Sequence, residues 1–432
     1  MSGKKWSNWA KNQSSTPVAI HRPTSLDELS RTIERAATDG AGVKAVGSGH
    51  SFTGCAVTDG HLIRLDGFSG LWEVDRGAME VTVGAGTTLS ALNELLHAEG
   101  LAMPNLGDIA YQTVAGAIST STHGTGARLP GLAAQVRGFT LVDGSGVVHE
   151  CSATSNPELF RLGTVSVGVL GVVTRYRLAV VDAFRLHARE KAMPVDAVLA
   201  SLDELVADND HFEFFWLPHT PWALTKRNNR TSDPLEPLPK VKGWIDKTFM
   251  ENYAFGALCR LGRMKPSLIP RLATALPSSG GRQYVEQSYK IFASPRIVRF
   301  YEMEHALPRD AVVPALNELR ALIDRDGFLL NFPVEVRFTS GDDVAMSTAF
   351  ERDSAYIAVH VFQGMEYEPF FRKVDAMLEA HGSRPHWGKL HYRGPEQLRT
   401  QYRHFDAFCD MRRRMDPSNV LGNDYSRQIF GW

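Results

Sequence analysis

The chain has 432 residues, 43% hydrophobic and 22% charged, with 47 Lys+Arg against 48 Asp+Glu and a formal net charge of −1. That length is too great for one ordinary core and predicts two or three domains of a soluble globular protein. The balanced charge excludes the basic excess of a broad nucleic-acid interface, so no nucleic-acid partner is expected.

The opening stretch MSGKKWSNWAKNQSS lacks the apolar region of a secretory signal. No run of about 18 uninterrupted apolar residues predicts a membrane span. VSVGVLGVVTRYRLAVV, broken by Gly168, Gly171, Arg175 and Arg177, reads instead as two buried strands. Cys55, Cys151, Cys259 and Cys409 are far apart and form no CxxC pair. Their spacing predicts free thiols in a reducing, cytoplasmic compartment and offers no metal site. Peripheral contact with a membrane-borne electron acceptor stays open.

In chain order, TSLDELSRTIERAATDG predicts a helix. Ser25 and Glu28 form a capping box, Leu26, Leu29 and Ile33 recur at helical spacing, and Gly40 ends the unit. VKAVGSG is a short strand feeding a loop, MEVTVGAG alternates as a strand, and TTLSALNELLHAEG carries Leu89, Leu92, Leu95 and Leu96 on one helical face. The Asp-Gly and Ser-Gly pairs within VRGFTLVDGSGVVHE mark a hairpin. This α+β block ends near residue 182. The Pro-rich stretch NRTSDPLEPLPKVKGW then marks the entry to a second α+β unit through a mobile connection. VPALNELRALID and YEPFFRKVDAMLEAHG predict helices, PVEVRFT and AYIAVHVFQ strands, and QYRHFDAFCDMRRRMDPSNVLGN a helix ending at Pro417.

Four stretches can carry chemistry. In Val46-Gly47-Ser48-Gly49-His50-Ser51, closely spaced glycines let backbone N–H groups turn toward an anion such as phosphate. The pattern is neither GxGxxG opening a helix nor a Walker loop, and His50 read alone is a turn residue. Asn105 to Gly131 is rich in glycine and hydroxyls, unsuited to an apolar core but able to line an extended polar ligand. In PVEVRFT, period two puts Glu335 and Arg337 on one face, opposite Val334, Val336 and Phe338. His360 likewise sits opposite Ile357, Val359 and Val361. Taken alone, these charges read as a solvated sheet face. RPHWGKLH crowds His386, Trp387 and Lys389 around Gly388, as either a site or a packed turn.

Together these stretches, with VAGAISTSTHGTG and MDPSNVLGNDY, resemble the aldonolactone oxidase and dehydrogenase family, close to L-gulonolactone and D-arabinonolactone enzymes and to alditol oxidases. The resemblance implies a vanillyl-alcohol-oxidase-type fold of class α+β. Residues 13–182 would form a two-subdomain FAD-binding domain of the PCMH type. Residues 183–432 would form a cap domain with an antiparallel sheet, whose segment from about 400 to 432 packs back near the flavin. By resemblance Gly47, Ser48, Gly49 and Ser51 hold the FAD pyrophosphate and His50 is the covalent tether to the flavin. Val46, Gly107, Thr113, Gly116, Ser119, Thr122, His123, Val172 and Val173 complete the implied cofactor contacts. Glu335, Arg337, His360 and Lys389 match the polar cluster on the substrate side of the ring.

The implied reaction is oxidation of a sugar-1,4-lactone such as L-gulono-1,4-lactone at C2 by hydride transfer to flavin N5, giving a 2-keto lactone that enolises to an ascorbate-type product. Oxidation of a terminal CH–OH of an alditol is the alternative. Asp108 stands where alditol oxidases carry a substrate-touching serine, and Gly107 where plant lactone dehydrogenases carry an oxygen-blocking alanine. The acceptor is oxygen or a respiratory, cytochrome-type partner.

Overall fold

A three-stranded parallel sheet sets His61–Arg64 between Ala19–His21 and Val43–Val46 in a computed structural model that describes residues 5–239, 243, 252–275, 281–293 and 297–432. The expected first helix, Leu26–Thr38, crosses between two of these strands. Its buried stripe is Leu29, Ile33 and Ala36, each 0% exposed, and burying each of the two larger side chains contributes about 1.5–3 kcal/mol. Ser25 accepts the Glu28 N–H, but the capping box is not reciprocal. The Glu28 carboxylate instead takes the Thr24 N–H and hydroxyl.

A five-stranded antiparallel sheet follows, in the order Val148–Ser152, Val136–Val142, Val172–Ala179, Glu80–Gly84, Leu71–Asp75. Its hairpin is closed by Asp143, whose Oδ1 accepts the N–H groups of Ser145 and Val147. Only the second of the two strands expected between residues 165 and 181 forms at length. Val165 to Leu170 is a buried turn in which Val167 and Gly168 take φ of +45° and +69°. Two consecutive left-handed residues cannot extend, so this apolar run is buried by turning rather than by pairing.

The third large element is an eight-stranded sheet. Its order is Gly281–Gln287, Arg185–Pro194, Trp222–Thr231, His211–Trp216, Val334–Thr339, Ser354–Phe362, Phe300–Pro308, Arg384–Pro385. Three of these strands precede or overlap the Pro-rich stretch, which therefore lies inside this sheet's connections rather than ahead of them. Residues 240–242 and 244 of that stretch, and the mobility expected of it, fall outside the described residues. One face of the sheet packs Phe214, Val336, Ile357, Val359 and Met303 against the helices Val195–Ala200, Val312–Asp326 and Glu368–Ala380.

The expected last long helix is shorter, Phe405–Met415, with a separate Pro395–Gln401 helix before it. Phe405, Phe408, Met411, Met415 and Phe430 share a core with Leu29 of the first helix and with Val83 and Val142 of the five-stranded sheet. The C-terminal helices thus close over the opposite end of the chain.

Candidate active site

The Val43–Val46 strand delivers the glycine loop to the rim of a cleft of about 1200 Å³, open mouth included. Val46, Gly47, Ser48, Gly49, His50 and Ser51 form one wall; Thr113, Gly116 and Ser119 form a second, and Val172 and Val173 border a third. The loop is braced from behind. Trp9 donates its N–H to the Gly49 carbonyl at 2.7 Å, Asn8 Nδ2 donates to the Ser51 carbonyl at 2.9 Å, and Ser48 Oγ donates to the Tyr111 carbonyl at 2.5 Å. Among the described residues the N–H groups of Ser48, Gly49, His50 and Ser51 have no protein acceptor. Gly49 has φ +70°, so this stretch forms a concave set of donors suited to an anion. A Cβ at Gly47 would lie 2.1 Å from Thr113 Oγ1; the two walls approach each other closely only because residue 47 has no side chain. Such a cleft fits the extended, phosphate-bearing body of FAD.

His50 stacks on Trp9 with ring centroids 5.6 Å apart. Burial, with the Lys389 charge adding to it, pushes its imidazole down to about 4. It is neutral at pH 7, the state in which a ring nitrogen can act as a nucleophile toward a flavin methyl group.

Three expected cofactor contacts do not border this cleft. Gly107 packs under the His123 carbonyl, and Thr122 Oγ1 accepts from Gln112 Nε2 at 3.4 Å. His123 is 3% exposed, stacks on Tyr356 and lies 3.3 Å from Glu304 Oε1 through Nε2. The reason is that residues 120–126 stitch the first part of the chain to the large sheet. Gly126 N–H donates to the Phe338 carbonyl at 2.7 Å, and His211 Nδ1 bonds the Thr125 carbonyl at 2.8 Å. The hydroxyl-rich stretch is therefore divided: Thr113, Gly116, Ser119 and Thr120 line the cleft, whereas Ser121, Thr122, His123 and Thr125 are buried against the large sheet.

Beside the cleft, a second cavity brings together Asp108, Glu335, Arg337, His360 and Lys389, with Glu302, Phe215, Phe300 and Phe332. Register explains the convergence. Arg337 pairs across the sheet with Tyr356, Glu335 with Ala358 and Phe215, and His360 with Glu302. All lie on the face opposite the apolar core, so the charged face is buried and not solvated. Glu335 and Arg337 are only 6% and 7% exposed.

Arg337 sits among three carboxylates. Its Nε donates to Glu213 Oε2 at 2.9 Å, and its Nη2 contacts Glu335 Oε1 and lies 3.4 Å from Asp108 Oδ1. Burial, increased by Asp108 and Glu213 and opposed by Arg337, pushes the Glu335 carboxyl up to about 7. Burial also disfavours a charged Glu213, but Arg337 and Lys226 outweigh it and hold that carboxyl below its usual value. Lys389 Nζ pairs with Glu302 Oε2 and lies over the Phe52 ring at 5.3 Å. Burial opposes its charge, yet Glu302 and Glu304 hold its pKa above the ordinary lysine value. His360 Nδ1 bonds the Pro333 carbonyl at 2.9 Å, and Nε2 faces Glu302 Oε1 at 3.6 Å.

The HWGK turn joins the two sites. Phe52 N–H donates to the Gly388 carbonyl at 2.8 Å, and a Cβ at Gly388 would lie 3.2 Å from Ser51 Oγ. The glycine loop and Lys389 are thus fixed to each other across the boundary between cleft and cavity. Sequence reading missed Glu302, Glu304 and Glu213. Their signal was present, since FYEMEHAL and HFEFFW show the same charged–apolar alternation as VEVRF.

Comparison with known proteins agrees with this geometry. Residues 17–152 match an FAD binding domain model and residues 176–429 match the D-arabinono-1,4-lactone oxidase model. The chain is 40% identical to an L-gulono-1,4-lactone dehydrogenase of Mycobacterium tuberculosis, with 99% of each chain covered. It is 32% identical to the L-gulonolactone oxidase of Scyliorhinus torazame (99% and 98% covered) and 29% identical to an alditol oxidase of Streptomyces (98% of each). In fold it resembles a solvent-stable cholesterol oxidase, with a TM-score of 0.84 at 18% identity over 98% of this chain and 97% of that one. It also resembles the cholesterol oxidase of Brevibacterium sterolicum, with a TM-score of 0.77 at 16% identity over 99% and 96%. The chain belongs to the D-arabinono-1,4-lactone oxidase family and is an FAD-dependent oxidoreductase acting on CH–OH groups.

Proposed function

We propose that this protein oxidises the C2 hydroxyl of a sugar-1,4-lactone, L-gulono-1,4-lactone or a close aldonolactone, using FAD held in the cleft. The observation that carries this reading is the cavity beside the cleft, where two cations and several carboxylates converge on one buried sheet face. Residues 13–182 would bind the cofactor and residues 183–432 would cap it, with the segment from about 400 to 432 returning to the first unit.

Bound there, FAD supplies a two-electron acceptor for the substrate's hydride. The chain supplies the rest. The amides of Ser48 to Ser51, which have no protein acceptor among the described residues, would bind the pyrophosphate, and neutral His50 would attach covalently to the flavin. Lys389 and Arg337 point positive charge into the cavity and would favour alkoxide character on the reacting oxygen. Glu335 would accept a substrate hydroxyl bond while orienting Arg337. Phe215, Phe300 and Phe332 line the cavity and would exclude water from the reacting centre.

Anaerobic mixing of the purified flavoprotein with L-gulono-1,4-lactone, D-arabinono-1,4-lactone and xylitol tests the proposal. Bleaching by a lactone supports it, and bleaching by xylitol alone replaces it with alditol oxidation. Oxygen admitted afterwards separates oxidase from dehydrogenase by the speed of reoxidation. Among the described residues no helix is long and apolar enough to cross a membrane. We place the protein in the cytoplasm, with access to a respiratory acceptor through peripheral contact.

A further inference from the structure

We infer that Glu302 is a positioning residue that makes His360 Nε2 the acceptor of the substrate's hydroxyl proton. The inference rests on the proposed lactone oxidation and identifies a group that this reaction requires. Hydride loss from the carbinol carbon takes that bond's electron pair to the flavin. The O–H electron pair becomes the second C–O bond, and one proton must leave to a base.

The tautomer of His360 is set by its neighbours. A carbonyl can only accept, so Nδ1, at 2.9 Å from the Pro333 oxygen, carries the hydrogen. Neutral His360, which lines the cavity, therefore carries its lone pair on Nε2. The 3.6 Å gap to Glu302 Oε1 is longer than a formed hydrogen bond. Glu302 Oε1 is the acidic group that faces Nε2, so a proton arriving there meets a carboxylate. Strand register fixes the pairing, because Glu302 and His360 are direct partners across the sheet.

The other charged groups around this ring are ion-paired with one another. Glu302 is held by the Lys389 ammonium. Glu335 contacts Arg337, which also engages Glu213 and Asp108. Lys389 and Arg337 carry no lone pair while charged. Of the elements packed against His360, the Phe300–Pro308 strand contributes Glu302, the strand from Val334 contributes Glu335 and Arg337, and the HWGK turn contributes Lys389. Burial opposes a charged His360, but the Glu302 carboxylate outweighs it and raises the imidazole above its ordinary value.

The test follows two readouts on the flavin-loaded enzyme against pH. One is the anaerobic flavin reduction rate with L-gulono-1,4-lactone; the other is the His360 ring resonance in protein labelled with 13C at histidine Cε1. In the wild type the rate rises with pH through a midpoint above that of a free histidine, and His360 titrates at the same midpoint. E302Q moves both midpoints down together by about tenfold or more in acidity, and E302D moves both by less. H360Q removes the kinetic midpoint and slows reduction by about 10²–10⁴-fold. A kinetic midpoint that stays in place in E302Q while the His360 resonance moves overturns the inference in favour of another base. A His360 resonance that does not move in E302Q also overturns it, even if no lactone bleaches the flavin. Absence of bleaching itself refutes the proposed substrate and not the Glu302–His360 coupling.

Discussion

Replacing Glu335 by Gln tests the electrostatics of the cavity through stability. The Glu335 carboxyl is 6% exposed, and burial, with Asp108 and Glu213 nearby and Arg337 opposing, raises it from 4.5 to about 7. Folding thus raises this pKa, so the folded chain binds more protons than the unfolded one between pH 4.5 and about 7. Stability from this group is present below pH 4.5, falls as pH rises across that window and levels off above about 7. Each tenfold in an ionisation constant is worth about 1.4 kcal/mol, so the full cost at pH 8 is about 3 kcal/mol. Gln has nearly the same shape as protonated Glu and cannot ionise. E335Q is therefore expected to match the wild type at pH 4.5 and to exceed it by about 3 kcal/mol at pH 8, while losing turnover because Arg337 and the substrate lose a charged acceptor. Denaturant unfolding of both proteins from pH 4.5 to 8 measures the divergence. A variant less stable than the wild type at pH 8 would refute the reasoning, because the carboxylate would then be a net asset to the fold.

Three other substitutions separate the roles of cleft and cavity. Lys389→Met should slow flavin reduction by about 100-fold if the ammonium stabilises developing charge; an unchanged rate removes it from the chemistry. His50→Ala should release yellow colour to the supernatant after acid precipitation, whereas the wild type keeps it in the pellet; colour in the wild-type supernatant shows that His50 is only a neighbour of the flavin. Gly47→Ala places a Cβ 2.1 Å from Thr113 Oγ1, forcing that hydroxyl off the Gly116 N–H it caps. The lost cap costs about 1 kcal/mol, and flavin content per protein should fall; full loading with unchanged Tm would contradict the close approach.

What was legible in the sequence was local. Ser25, Leu29 and Ile33 specify the first helix by cap and period, and Asp143 with its glycines specifies a hairpin, because neighbours in the chain make these interactions. The strand VEVRF disclosed that Glu335 and Arg337 share a face, but not that the face is buried. That depends on Glu302 and Glu213 lying across the sheet, 33 and 122 residues away in sequence by subtraction, in a register that only the folded chain fixes. The same gap explains His123. Its motif looks like cofactor-lining sequence, yet its partner Glu304 lies on a distant strand, and the pairing draws it away from the cleft. The missing strand at Val165 to Leu170 failed for the opposite reason. Apolar composition reported burial correctly, while Val167 and Gly168 chose a turn.

The charge pattern of the cavity also bears on what it can hold. Arg337 is matched by Glu213, Glu335 and Asp108, and Lys389 by Glu302. Each cation was taken out of water with acidic partners already in place, as buried charges require. A substrate carboxylate entering the cavity would find both cations occupied and would face further carboxylates. Neutral hydroxyls meet no such penalty: they can donate to the carboxylates and accept from the guanidinium and ammonium without disturbing either pairing. An uncharged, polyhydroxylated ring such as a lactone suits this arrangement, whereas its hydrolysed acid would have to displace a buried partner. The ion pairs that make the charged sheet face compatible with burial are thus the same ones that select against a charged substrate.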